Sequence, residues 1–403
     1  MIEIFLYIAL SCFSTFAAVY GLYLLIVLRT SKTKEYLKIL NESLKKEINI
    51  QELPTISIII PAHNEEDVIV NKFHNIAAFD YPKEKLEVIL VDDCSVDHTA
   101  EKAAQALKEF NMTGKVIRNK ENMGVNASYN LAIREANGVL ILMTDADVMI
   151  RSDALIKGAK ILESQEDIGG VTGKTVIASS NDGVAFSIES SYTDFMNNYS
   201  LTESAIDSTY PGSTCLALVK KSALSPLNEK YGSSDGNLSL SMIIKGYRYI
   251  FVPQLVFQEN TASNIREQRR QKVRRATRLL QSTFLYSKKI FVNSKNGFAR
   301  IVFPLRFLMT AICPILFWVG LASLVVFIAT LSPVLVVLVL GVFSLFLIPC
   351  MVIFLKFRNL LLTFLAYQIY LMLAIILVSR KAKTWKTIQR DTGVLVSDLK
   401  NDR

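Results

Sequence analysis

Histidine and cysteine are scarce in this chain, with three and five copies in 403 residues and no Cys-x-x-Cys pair. His63, His74 and His98 do not form a zinc pattern, which excludes a zinc-binding module of the usual kind. Cys12, Cys313 and Cys350 lie in apolar runs, leaving only Cys94 and Cys215 for the soluble part. That excludes a disulfide framework and points to a reducing compartment. There is no zinc-finger or RNA-binding signature, so no nucleic-acid partner is expected despite a net charge of +9. The basic residues gather beside apolar runs instead, which fits the cytoplasmic surface of a membrane.

Apolar residues, by contrast, are abundant, at 51% with a mean hydropathy of +0.32. Ile4 to Leu28 is uncharged and long enough to span a bilayer, for which ~20 residues suffice. Arg29, Lys32 and Lys34 follow it, so a retained anchor (1–29) with its C-terminal end in the cytoplasm is expected. Leu37, Leu40, Leu44 and Ile48 then mark an amphipathic connector helix over 30–54. Near the other end, Phe307–Thr330, Pro333–Leu355 and Leu360–Val378 could each cross a membrane, giving about three spans over 307–379 before a basic tail, 380–403. Lys356 and Arg358 on one side, and Arg380, Lys381 and Lys383 on the other, bracket the last run. This conflicts with a simple three-span count: the last run is re-entrant, the first folds differently, or the tail breaks the charge rule.

Between these ends lies a soluble domain, 55–260. Apolar strands alternate with helical patterns: Ile56–Ile60 stopped by Pro61, a helix from Asp67, Leu86–Val91, a helix capped near Ser95 or Asp97, Val116-Ile117, a helix over Ala127–Ala136, and Val139–Met143. Such alternation predicts an α/β fold with a mostly parallel sheet, and ligands bind beyond the carboxyl ends of its strands. Asp92, Asp93, Asp145 and Asp147 all fall there. Two carboxylates one residue apart, Asp145 and Asp147, suit Mg²⁺ or Mn²⁺ bound together with substrate phosphates.

The motifs Ile60-Pro61-Ala62-His63-Asn64-Glu65-Glu66, Val91-Asp92-Asp93-Cys94-Ser95-Val96-Asp97 and Thr144-Asp145-Ala146-Asp147 come in that order. Pro211-Gly212-Ser213, Ser234-Asp235-Gly236-Asn237-Leu238-Ser239-Leu240 with Gly246-Tyr247, and Gln271-Lys272-Val273-Arg274-Arg275 follow. Together they resemble the membrane-embedded glycosyltransferases of family 2, such as hyaluronan, cellulose and poly-N-acetylglucosamine synthases and ceramide glucosyltransferase. The resemblance spans about three quarters of the chain. It implies a GT-A (Rossmann-like) fold, a nucleotide sugar donor, most often uridine-linked, a Mg²⁺ or Mn²⁺ ion and inversion at the anomeric carbon. It implies that Pro61, Asn64, Glu65, Asp92, Asp93, Asp145, Gln271, Arg274 and Arg275 serve the donor nucleotide and diphosphate. It further implies that Asp147 and Asp145 serve the metal, Gly212 and Ser213 the acceptor, and Asp235 general-base catalysis.

Three positions depart from the family pattern. Ser234 replaces the glutamate before the base, Val125 replaces a lysine after Gly124, and Arg275 replaces a tryptophan that forms the acceptor platform of polymerising members. The last departure points away from processive synthesis.

Each candidate also has a plainer reading. Asp235 sits at a helix start, where aspartate is ordinarily a cap, and Asp92-Asp93 and Asp145/Asp147 could be acidic turns. Arg266–Arg278 holds seven basic residues in thirteen positions within an interfacial segment, 261–306. Gln271, Arg274, Arg275 and Arg278 share one helix face, fit either to grip a diphosphate or to lie against anionic lipid. Phe186, Tyr192, Phe195 and Tyr199 are expected to pack in the core, with sugar stacking by one of them as the alternative.

The expected protein is a multi-pass cell-membrane enzyme with a cytoplasmic catalytic domain, passing one or a few sugars to a lipid or glycan acceptor. A processive synthase that exports its product is the alternative. A catalytically silent scaffold is a rival of another class, and a sugar nucleotidylyltransferase a weaker one.

Overall fold

The computed structural model describes residues 3–28, 31–178, 184–211, 213–260, 265–293, 296–332 and 355–379, with a few single positions between 334 and 341. Gly212, most of the run Pro333–Leu355 and the tail 380–403 lie outside the described residues.

One eight-stranded sheet organises the soluble domain. β1 (Ile56–Ala62), β2 (Leu86–Asp92), β3 (Gly114–Arg118) and β4 (Leu140–Met143) pair in parallel, in the order β3-β2-β1-β4. β5 (Met149–Ile150), β6 (Ile168–Ala178), β7 (Ala217–Lys220) and β8 (Arg248–Asn260) complete the order as β7-β6-β8-β5. β7 runs antiparallel to β4 and to β6, and β5 antiparallel to β8, so the sheet is mixed rather than mostly parallel. The cause is where the strand begins: Ala217 pairs with Met143 at the carboxyl end of β4, so β7 must run backwards. β6 and β8 are parallel to each other, which returns the end of β8 to the edge where β1, β2 and β4 finish.

Pro61 does not stop β1, which continues to Ala62. A proline is tolerated in a strand where no ladder bond is needed from its nitrogen. β4 has already ended opposite Ile59, so at Pro61 only β2 remains alongside.

Side chains alternate across the sheet. Ile56, Ile58 and Ile60 join the core beneath α3 (Ile69–Ala77), α4 (Thr99–Glu109) and α6 (Ala154–Ser164). Ile59, Ile89, Ile141 and Met143 face α5 (Val125–Glu135) and α8 (Ser234–Ile244) through Tyr129, Ala132, Leu238 and Met242. The connector forms α2 (Ser31–Lys45), and its buried Tyr36 donates a hydroxyl bond to Phe251 O at 2.8 Å.

Among the described residues two helices are long and apolar enough to cross a membrane: Glu3–Val27 within α1 (Glu3–Leu28), and the continuous segment Phe298–Ala329. The latter contains α10 (Phe303–Phe307) and α11 (Cys313–Ala329), each preceded by a π-helical turn. Pro304 and Pro314 lack the N–H that regular helix bonding would use, and wider turns accommodate the gap. Of the three expected C-terminal spans, this one begins nine residues earlier than Phe307. The last falls in α12 (Leu355–Leu377), whose apolar part Leu361–Leu377 is shorter. α7 (Val184–Ile206) and α9 (Ile265–Asn293) link these helices to the sheet.

Leu142 is fully buried in β4 under the acidic strand end. Leu142→Ala should cost about 2–5 kcal/mol through lost contacts and a residual cavity. A clearly lowered thermal midpoint of the purified full-length protein is the expected result.

Candidate active site

β4 ends at Met143, and Asp145 and Asp147 occupy the turn before β5. The turn is braced from beneath by α3. Lys72 is fully buried, and its Nζ donates to Thr144 Oγ1 at 2.8 Å and to Val148 O at 2.6 Å, gripping both flanks of Asp145-Ala146-Asp147. Asn75 then clamps β5, donating to Ile150 O at 2.7 Å and accepting from Ile150 N at 2.8 Å. Burial pulls the Lys72 amine down to about 7, while Asp145 and Asp147 pull it back up.

Asp145 accepts from Tyr129 Oη at 3.2 Å and from the Cys215 thiol at 3.6 Å. Burial, reinforced by Asp147, Asp235 and Glu259, pushes its carboxyl up to about 6. That gathering of like charge is the electrostatic condition a divalent cation relieves. Among the described residues no group of three or more His, Cys, Asp or Glu converges as a complete cage. An ion at Asp145 and Asp147 would need its other ligands from substrate phosphates and water, as Mg²⁺ commonly takes them.

Asp235 lies in the first turn of α8 but does not cap it. The cap is Ser233, whose Oγ accepts from Gly236 N at 3.0 Å. Asp235 Oδ1 instead accepts from Thr214 N at 2.5 Å and Thr214 Oγ1 at 2.7 Å. Burial raises its pKa, the two Thr214 bonds and Arg275 oppose the rise, and Glu259 adds to it. Arg275 pairs with Glu259 at the end of β8, which holds the guanidinium above its ordinary pKa. The position expected to carry a flat aromatic thus carries an ion pair.

The other strand ends are knitted to one another. Asp93 is fully buried and both oxygens are occupied: Oδ1 accepts from Asn119 Nδ2 and Met123 N, each at 2.8 Å, and Oδ2 from Gly124 N at 2.7 Å. Gly124 has φ +88°, a conformation that favours glycine. Asp92 accepts from Ser95 N at 3.2 Å and pairs with Arg118 at 3.1 Å. Asn64 donates its N–H to Ser95 Oγ and accepts from Val96 N, both at 2.9 Å, while Glu65 N donates to Thr99 Oγ1 at 2.9 Å. Asn64 (φ 54°) and Cys94 (φ 62°) are both left-handed, a cost that clusters at functional sites. Pro61 is buried in β1 behind them.

Gln271 and Arg274 lie part-buried on α9, in the same stretch as Arg275. Lys272 sits 5.1 Å from the Tyr367 ring of α12, and Arg269 and Arg270 are exposed. Ser213 O accepts from Tyr249 Oη at 3.3 Å, and Ser213 Oγ accepts from Cys215 N at 3.2 Å, on the path to Thr214. The side chains of Phe186 and Tyr192 are outside the described set; Tyr199 is buried against Phe195 and Tyr23, whereas Phe195 itself, expected in the core, is exposed.

Lys72, Thr214 and Glu259 did not emerge from the sequence. Lys72 left one trace: it stands at the apolar spacing Ile69, Lys72, Phe73, Ile76, facing the core. Thr214 and Glu259 left none, because their partners lie 21 and 16 residues away.

A parallel sheet half with acidic strand ends, extended by an antiparallel return, defines an α/β nucleotide-sugar transferase fold of the GT-A kind. Residues 57–225 match the model of "Glycosyl transferase family 2", and this domain belongs to that family. An N-acetylglucosaminyltransferase of Rhizobium meliloti is 27% identical over 255 residues, 59% of this chain and 58% of the relative. A beta-monoglucosyldiacylglycerol synthase of Nostoc is 31% identical over 132 residues, 32% of this chain and 28% of the relative. The chain thus spans less than two thirds of either curated relative. A mannosyltransferase from Pyrobaculum calidifontis, solved with GDP-Man and Mn²⁺, shares the fold over 94% of this chain and 99% of its own, with a TM-score of 0.69 and 23% identity.

Lys72→Met should weaken Mn²⁺-dependent nucleotide binding by about 10–100-fold, the usual effect of removing an outer-shell partner. Calorimetric titration with and without Mn²⁺ checks this, and unchanged affinity would show the turn needs no brace. A second prediction concerns pH. A base must be ionised to act, so with Asp235 in the role expected of it turnover falls as pH drops through its pKa. Thr214→Val removes a bond that favours the carboxylate, so the acid limb of kcat should move to higher pH. An unmoved limb would assign it to another group.

Proposed function

We propose that this chain is a membrane-bound glycosyltransferase that moves a sugar, with inversion, from a nucleotide sugar to a lipid or lipid-linked acceptor at the cytoplasmic face. The observation that carries the reading is Asp235. Its carboxylate is freed from capping, held by Thr214, and close enough to Asp145 to raise the pKa of that residue.

The acceptor hydroxyl attacks the anomeric carbon as the bond to the diphosphate breaks, and Asp235 takes the hydroxyl proton. A divalent ion held by Asp145 and Asp147 would offset charge on the departing diphosphate. Arg274 supplies a second cation there, with Gln271 beside it on α9. The nucleotide base is received by the loops after β1 and β2, which Asn64, Asp92 and Asp93 hold in shape. Uridine as the base rests on the family resemblance.

Membrane attachment is supported by the exposed apolar faces of α1 and Phe298–Ala329, where Tyr7, Leu25 and Val325 are each more than half exposed. Lys32 and Lys34 after α1 favour a cytoplasmic catalytic domain. The Arg275–Glu259 pair offers charge and hydrogen bonds where chain retention would use a flat ring. That favours an acceptor with a polar or phosphate head and the addition of one or a few sugars. The Nostoc relative carries a lipid product in its name.

The test incubates membranes with radiolabelled UDP- and GDP-sugars and separates products by size and solubility in organic solvent. Lipid-soluble products are expected. Asp235→Asn should cut transfer by about 100-fold or more while sparing donor binding, and Asp147→Asn should abolish metal-dependent binding. High-molecular-weight polymer formed without a lipid acceptor would establish processive synthesis, and absence of any nucleotide binding a silent scaffold.

A further inference from the structure

A second buried carboxylate lies far from the acidic strand ends, where α1, α7 and the Phe298–Ala329 helix meet. Glu203 of α7 is 2% exposed and collects donors from three directions. Tyr23 Oη of α1 donates to Oε1 at 2.5 Å, and Arg306 Nε of α10 donates to the same oxygen at 2.5 Å. Thr209 Oγ1 donates to Oε2 at 3.0 Å, and Tyr210 N at 3.3 Å. The Arg306 guanidinium also lies over the rings of Tyr23 and Tyr199, at 5.7 and 5.5 Å.

Thr209 and Tyr210 open the strap that ends at Thr214. Between those ends the strap is tied to the domain. Thr209 N donates to Tyr249 O at 2.8 Å, Tyr210 Oη is hydrogen-bonded to Thr283 Oγ1 of α9 at 2.5 Å, and Ser213 O accepts from Tyr249. Thr214 then gives Asp235 both of its bonds. Hydrogen bonds therefore tie the start of the strap to the anchor helix through Glu203, and its end to the base. The donor-binding turn is braced from the other side by Lys72 and Asn75 and meets the strap's end through the Cys215 thiol, which donates to Asp145 at 3.6 Å.

We infer that α1 is part of the catalytic unit rather than a tether: Tyr23 and Glu203 are positioning residues that set the strap, and through Thr214 the carboxylate that receives the acceptor proton. The inference rests on the reading of Asp235 as the base. The physical case is that Glu203 is a buried charge whose bonds must all be kept, so loss of one donor shifts the others. A shift carried to Thr214 misplaces Asp235, and reacting groups displaced by about 1 Å lose about 100-fold in rate.

The experiment uses full-length protein and two mild variants on opposite sides of Glu203, Tyr23→Phe and Thr209→Val. Tyr23→Phe keeps the ring against Arg306 and removes only the hydroxyl. In both, hydrogen exchange at the amides of Tyr210 and Thr214 should quicken, while β1, β2 and β4 stay protected. Transfer kcat should fall by about 10–100-fold, with donor KM and Mn²⁺-dependent UDP affinity unchanged. Unchanged exchange in the strap would overturn the coupling, and so would parallel loss of donor affinity and turnover. If the strap responds while wild-type membranes transfer no sugar, the coupling stands and the reading of Asp235 as a base fails.

Discussion

A carboxylate removed from water must be given donors or a cation, and this requirement organises the protein. Asp92, Asp93, Asp145, Asp235 and Glu203 are each buried or nearly so, and each is answered in its own way. Asp93 is filled by backbone and amide donors of the loop before α5. Glu203 is filled by a tyrosine, an arginine and the strap. Asp145 differs in degree: Tyr129 and Cys215 donate to it, yet Asp147, Asp235 and Glu259 add negative charge around it. On the proposed reading, a divalent ion and diphosphate answer that charge.

The division of labour follows the sheet. Its parallel half carries loops that hold one another rigidly, so the donor end is built before any ligand arrives. The antiparallel half brings in β7 and β8, and with them Thr214, Asp235 and Glu259. Because β7 enters from the carboxyl end of β4, the strap must cross the mouth of the site. That crossing joins the acceptor side to α7, α9 and the apolar helices. Lys72 and Asn75 brace the acidic turn and Glu203 the start of the strap, and the two meet where Cys215 donates to Asp145.

On the proposed reading, ion pairing also separates this site from a chain-holding one. Arg275 is tied to Glu259 and acts electrostatically on Asp145 and Asp235, so it adjusts the charge of the centre as well as its shape. A tryptophan there would offer area without register. The exchange of stacking for charge is consistent with an acceptor that arrives with a polar head from a lipid surface.

Much of this was legible in the chain. The four parallel strands, the acidic strand ends, the apolar runs and the motif order follow from local pattern, because buried strands and helices write their periods into adjacent residues. The reach of β1 through Pro61 was not legible, since it depends on where β4 stops. Nor was the reversal at β7, which depends on the path of a strap without periodicity. Asp235 stands where a cap is ordinary; only packing removed that reading, by giving the cap to Ser233 and Thr214 to the aspartate. Lys72, Glu259 and the Tyr23–Glu203–Arg306 cluster belong wholly to the tertiary structure. Their partners lie 16 to 180 residues away, and a buried charge records its need for a partner in space, not in its neighbours along the chain.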